Sequence, residues 1–80
     1  MKAYQMEVHV DVREARPTRL IWQGQAYPVR AVLDEWQYGG RWWLGERPRT
    51  CYLVQAGPLT AELHREDGEG GRWWLARLQD

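Results

Sequence analysis

Apolar and polar positions alternate without a break from Tyr4 to Val12: Tyr4, Met6, Val8, Val10 and Val12 fall on one side, Gln5, Glu7, His9 and Asp11 on the other. A period of two marks a strand with one wet face. Arg13-Glu-Ala-Arg-Pro17 breaks the rhythm, and Pro17 has no amide to give a ladder, so this stretch is expected as a connection. A second strand is predicted from Thr18 to Gln23, ending in a tight hairpin at Gly24, where glycine takes a positive backbone angle at little cost. The returning strand runs from Tyr27 to Trp36. Its apolar phase slips between Val29 and Val32, as one extra residue in a strand causes, and Pro28 points to an edge or a bulge. Ala31 to Tyr38 also fits a short helix.

Gly39-Gly40, Gly57-Pro58 and the glycines from Gly68 to Gly71 read as turns. Between them lie three more predicted strands, Arg49 to Gln55, Leu59 to Glu66 and Arg72 to Leu78. Leu59, Ala61 and Leu63 alternate with Thr60, Glu62 and His64, whereas Cys51-Tyr-Leu-Val54 is apolar on both faces and is expected at the centre, with Cys51 inward beside Leu53. The fold class that follows is all-β: about six antiparallel strands in a meander, strongly curled or closed into a small barrel, because a flat sheet leaves one face uncovered. Residues 1–80 read as a single domain, with the N-terminal strand and its connection at 1–15 and a Trp-rich module at 16–80.

Size and charge narrow the functions. An 80-residue chain of 9.5 kDa hides only ~60 to 65% of its unfolded surface. Eleven basic and eleven acidic residues cancel, which removes any bulk electrostatic attraction to nucleic acid or an anionic membrane. Apolar runs do not exceed four residues, and no charged-then-apolar leader opens the chain, so a cytoplasmic location without membrane association is expected. A single cysteine forms no internal disulfide, which leaves packing or self-association to hold the core.

The six tryptophans change the picture most. Gly39-Gly-Arg-Trp-Trp-Leu44 returns as Gly70-Gly-Arg-Trp-Trp-Leu75, which reads as two equivalent turn-to-strand openings. Consecutive side chains on a strand point apart, so one indole of each doublet leaves the core, and alternation alone does not fix which. Covering an indole is worth roughly 4 to 6 kcal/mol at about 25 cal/mol per Å², so the outward ring calls for a cover: this chain, a second copy, or a stacking ligand. Tryptophan and arginine both favour the energetic centres of interfaces. The expected contact residues are Trp36, Trp43 and Trp73 as apolar anchors, flanked by Arg41, Arg49 and Arg72.

Chemistry is less well served. The chain has no serine, and only His9, His64 and Cys51 offer soft ligands, none at a metal-binding spacing. Asp34-Glu35 and Glu66-Asp67 diverge on a strand or turn, and the glycines at 68–71 lack the lysine and helix of a phosphate loop. A non-enzyme with no cofactor, no metal and no small-molecule substrate is expected. Single-stranded nucleic acid stacking on Trp with Arg along its backbone is the alternative. Glu46, Glu62, Glu66, Asp67 and Glu69 counter the basic charge in the same half and favour a protein partner or self-association.

The pattern Trp22-Gln-Gly-Gln-Ala-Tyr27, Trp36, Gly40-Arg-Trp-Trp43, Arg49-Thr-Cys-Tyr52, Glu62-Leu-His-Arg-Glu66 and Gly71-Arg-Trp-Trp74 resembles a family of small uncharacterised bacterial proteins. Over Arg16 to Asp80 it is also similar to the Trp-rich C-terminal tail of ImuB-type proteins, the inactive polymerase-like partners of an error-prone replicative polymerase. That resemblance implies an accessory module for DNA-damage tolerance that works through protein contacts.

Overall fold

A computed structural model describes residues 2–39, 43, 45, 48–66 and 71–79, with side chains from residue 6 onward. Six strands follow one another: β1 (Lys2–Arg13), β2 (Arg16–Trp22), β3 (Gln25–Tyr38), β4 (Arg49–Ala56), β5 (Leu59–Glu66) and β6 (Trp73–Gln79). Each pairs antiparallel with the next, and β6 returns to β1, so the meander closes into a barrel. Closure resolves the problem of the uncovered face: a sheet wrapped on itself buries one side of every strand.

Alternation selects the lining. Val10, Leu20, Tyr52, Val54, Ala56, Leu59, Ala61, Leu63, Trp73, Leu75 and Leu78 pack into one cluster, with Leu20, Val54, Leu63 and Leu75 wholly shielded. Each such leucine or valine removed from water contributes about 1.5 to 3 kcal/mol. The Tyr52 and Trp73 rings lie 5.4 Å apart at 34° and fill one end of the interior. The barrel is therefore a packed core whose surface, not its lumen, faces the world.

One connection is tighter than the residue pattern suggests. The stretch from Arg13 to Pro17 is strand on both sides of a two-residue turn, Glu14-Ala15, with φ of 53° and 64°. Gln23-Gly24 repeats that geometry, with φ of 50° and 77°, at the expected hairpin. Two successive positive angles give a primed turn, whose twist matches that of the flanking strands.

The phase slip in β3 is real. The β3–β4 register shifts between Val29 and Ala31 and again between Val32 and Asp34, while Val29 and Val32 both pack on the core. Ala31 to Tyr38 is strand, so the helical alternative falls. A further shift opposite Glu62 and Leu63 leaves Ala76 as the extra residue of β6, which brings Trp73, Leu75 and Leu78 to the same face.

Candidate contact surface

Cross-strand partners share a face, so the register traces rows across the outside of the barrel. One row runs Trp36 (β3), Cys51 (β4), His64 (β5), Trp74 (β6), Glu7 (β1). The neighbouring row runs Tyr38, Arg49, Glu66. Both belong to the face opposite Tyr52 and Val54, and this corrects the expectation for Cys51: it lies outside the barrel, yet wholly covered. The four-residue apolar stretch around it offered alternation nothing to decide with.

Between the two indoles the surface is polar and half-buried. His64 Nε2 stands 2.7 Å from Glu62 Oε2, two residues away on the same face of β5. With that contact made through Nε2, the buried Nδ1 of His64 and the buried Nε1–H of Trp74, opposite it on the ladder, have no hydrogen-bond partner among the described residues. Each buried group left unmatched costs ~1 to 3 kcal/mol. The Arg49 guanidinium lies 5.7 Å from the centre of the Trp74 ring, a cation–π contact.

A thiol opposite an imidazole that itself touches a carboxylate invites a catalytic reading. The environment works against it: burial first, and then the nearby Glu62 carboxylate, push the Cys51 thiol up from its ordinary value. A nucleophilic cysteine needs the opposite shift. Among the described residues, one surface cleft is lined by the β1–β2 turn and mid-β3, and another, which reaches Glu7, by β1 with Gly71, Arg72 and Trp73. Among the described residues no group of three His, Cys, Asp or Glu comes together as a metal site, and no helix is long and apolar enough to cross a membrane.

The expected anchors divide sharply. Trp36 is 37% exposed, and Trp43, in the β3–β4 connection, is 65% exposed. Trp73 is 6% exposed and stacks on Tyr52 inside the barrel, so it is a core residue and no anchor. Its neighbour Trp74 is the outward member of that doublet. The two Arg-Trp-Trp stretches are not equivalent, since Trp73 and Trp74 open β6 while Trp43 precedes β4 by six positions. Arg49 is half-buried on the outer face; Arg72 is exposed, its Nε 3.8 Å from Glu7 Oε2. Arg41 lies outside the described residues. Tyr38, 49% exposed, was not expected on this surface; the alternation of β3 past its bulges, from Asp34 through Trp36, is the signal that locates it, while Leu33, 55% exposed, is the extra residue of the second bulge.

One family model, described as a domain of unknown function (DUF6504), matches residues 2–80. The chain belongs to that family. No curated protein and no solved structure matches it.

Proposed function

We propose that this DUF6504 domain is a non-catalytic protein-interaction module whose contact surface is the aromatic outer face carried by β3 and the connection after it, with Trp36, Tyr38 and Trp43 as anchors and Arg49 beside them. One observation carries the reading: the interior is filled by the chain's own Tyr52, Trp73 and aliphatic side chains, yet three further large aromatics stand exposed along one strand and its exit. Exposed tryptophan and tyrosine forgo burial that a small domain needs, and a partner surface recovers it.

Among the described residues, the placement of the basic charge that no ion pair holds favours a protein partner over single-stranded nucleic acid. Arg13, Arg16 and Arg30 line a cleft beside mid-β3. Trp36 sits six residues beyond Arg30, about 20 Å along an extended strand. Near the aromatics, Arg49 is engaged with Trp74 and lies opposite Glu66, and Arg72 faces Glu7. Stacking with backbone neutralisation needs both features in one groove. The resemblance of its Trp-rich segments to ImuB-type tails supports a partner among proteins of DNA-damage tolerance.

The test is a photo-crosslinking side chain at Trp43 in cells that make the protein, with Arg77 on the outer face of β6 as the control position. A discrete protein adduct from position 43, lost on Trp36→Ala and absent from position 77, supports the reading. Adducts to nucleic acid, or identical adducts from both positions, contradict it.

A further inference from the structure

The barrel closes unevenly. β3 is paired with β4 from Val29 to Tyr38, but with β2 only over Gln25 to Pro28. The sequence builds this splay: Pro28, the last β3 residue on the β2 ladder, has no amide to donate, and neither has Pro17, which sits on β2 where the two strands part. Beyond Pro28 the polar backbone groups of β3 that point away from β4 have no strand opposite them. From Leu33 to Tyr38 every side chain is exposed, so nothing from the chain's described residues covers this edge. Asp34 Oδ1 accepts the Glu35 amide at 2.8 Å, a local cap at one position. An unpaired edge is a template for another strand, here interrupted by the register shifts around Arg30 and Leu33 and regular from Asp34 to Tyr38.

The charges along it say which strand fits. Arg30 stands at one end and Asp34-Glu35 at the other, with Ala31, Val32 and Leu33 between them. Where β2 and β3 part, Arg13, Arg16 and Arg30, with Glu14 as the acidic member of the lining, border a cleft of about 380 Å³. Among the described residues none of these three guanidinium groups is held in an ion pair, and neither carboxylate of Asp34-Glu35 meets a cation. The strand is thus the electrostatic complement of its own reverse. We propose that the free edge of β3 pairs antiparallel with the same edge of a second copy, about a two-fold axis near Val32. Asp34 then lies across the ladder from the partner's Arg30 at the mouth of that cleft, with Glu35 on the opposite face of the strand, and the partner's Asp34 meets Arg30 in return. Such an interface is isologous and closes at two chains. The proposal goes beyond the contact-module reading, since it uses the open edge of β3 and not the aromatic face.

Sedimentation of the full chain across a wide concentration range tests it, with cooperative thermal unfolding as the check on each variant. The wild type is expected to reach the mass of two chains. Arg30→Glu, and separately the pair Asp34→Arg with Glu35→Arg, set like charges together and are expected to raise the dissociation constant about a hundredfold. Arg30→Gln, which only removes the charge, is expected to raise it about tenfold. An equal mixture of the two reversed variants regains the two-chain mass, because in the mixed pair the altered charges at positions 30 and 34 meet their opposites. A wild type that stays a single chain, larger open-ended species, or reversed variants that are folded yet fail to complement one another overturns the proposal. A two-chain species indifferent to these charges but lost on Trp43→Ala also overturns it, while leaving the aromatic contact face standing. The reverse pattern, charge-dependent pairing without a protein adduct from position 43, supports the pairing and removes the aromatic reading.

Discussion

Trp73 and Trp74 separate by one bond in sequence and by the thickness of a sheet in space. Read alone, Trp74, Ala76 and Leu78 form the more consistently apolar alternate set, and Trp73 shares a face with Arg77. The bulge at Ala76 reverses that preference, since an extra residue flips every side chain beyond it. Sequence alternation therefore reveals that the doublet splits but not in which sense. Trp73→Ala is expected to lower unfolding free energy by about 3 to 5 kcal/mol and Trp43→Ala by less than about 1, read from denaturant midpoints. Cys51, covered and with its thiol pushed up by burial, should resist a thiol reagent in the native chain and react only on unfolding. Because the folded thiol holds its proton to higher pH than the unfolded one, its contribution to stability is full below the unfolded value of 9.0 and is lost as pH rises through the folded one. Asp11 carries the opposite sign. His9, at 2.8 Å, and then Arg19 hold its carboxyl below the ordinary value of 3.8, so it stabilises the fold above that value and ceases to do so as pH falls through the lower, folded one. Asp11→Asn should flatten the acid limb of a melting-temperature profile.

The strands were legible because period two is written plainly in β1 and β5, and even the irregularity of β3 is visible as the displacement from Val29 to Val32. What the pattern could not show is that Arg13 and Arg16 belong to strands: a break in alternation looks the same whether five residues form a loop or two form a turn. That turn carries its own signature. Ala15 has φ of 64°, a region where a Cβ costs roughly 1 kcal/mol, so Ala15→Gly should raise stability by about 0.5 to 1 kcal/mol. Gly57 is the mirror case. It has φ of 56°, donates its amide to the Pro28 carbonyl at 2.9 Å, and an added Cβ would meet Tyr27 Cδ1 at 3.4 Å. Gly57→Ala should therefore cost about 1 to 2 kcal/mol, measured by thermal unfolding.

At the scale of the molecule, one strand does two jobs. β3 closes the barrel by pairing with β2 over its first residues and β4 over its later ones, and the change of partner at Pro28 leaves an edge and an aromatic face together on the outside. Trp36 and Trp43, expected from the sequence as contact residues, are exposed. The edge was not legible in the sequence, because it arises from pairing across β2, β3 and β4 and from no single segment. Amide hydrogen exchange on the dilute chain examines this arrangement most directly. Amides of Tyr52, Val54, Ala61 and Leu63, in strands paired on both sides, should exchange slowest, and those of Ala31 to Tyr38 that point away from β4 should exchange far faster. Uniform protection along β3, equal to that of β4, would mean that the strand has a second neighbour within its own protomer, and the contact surface argued from its open side would be lost.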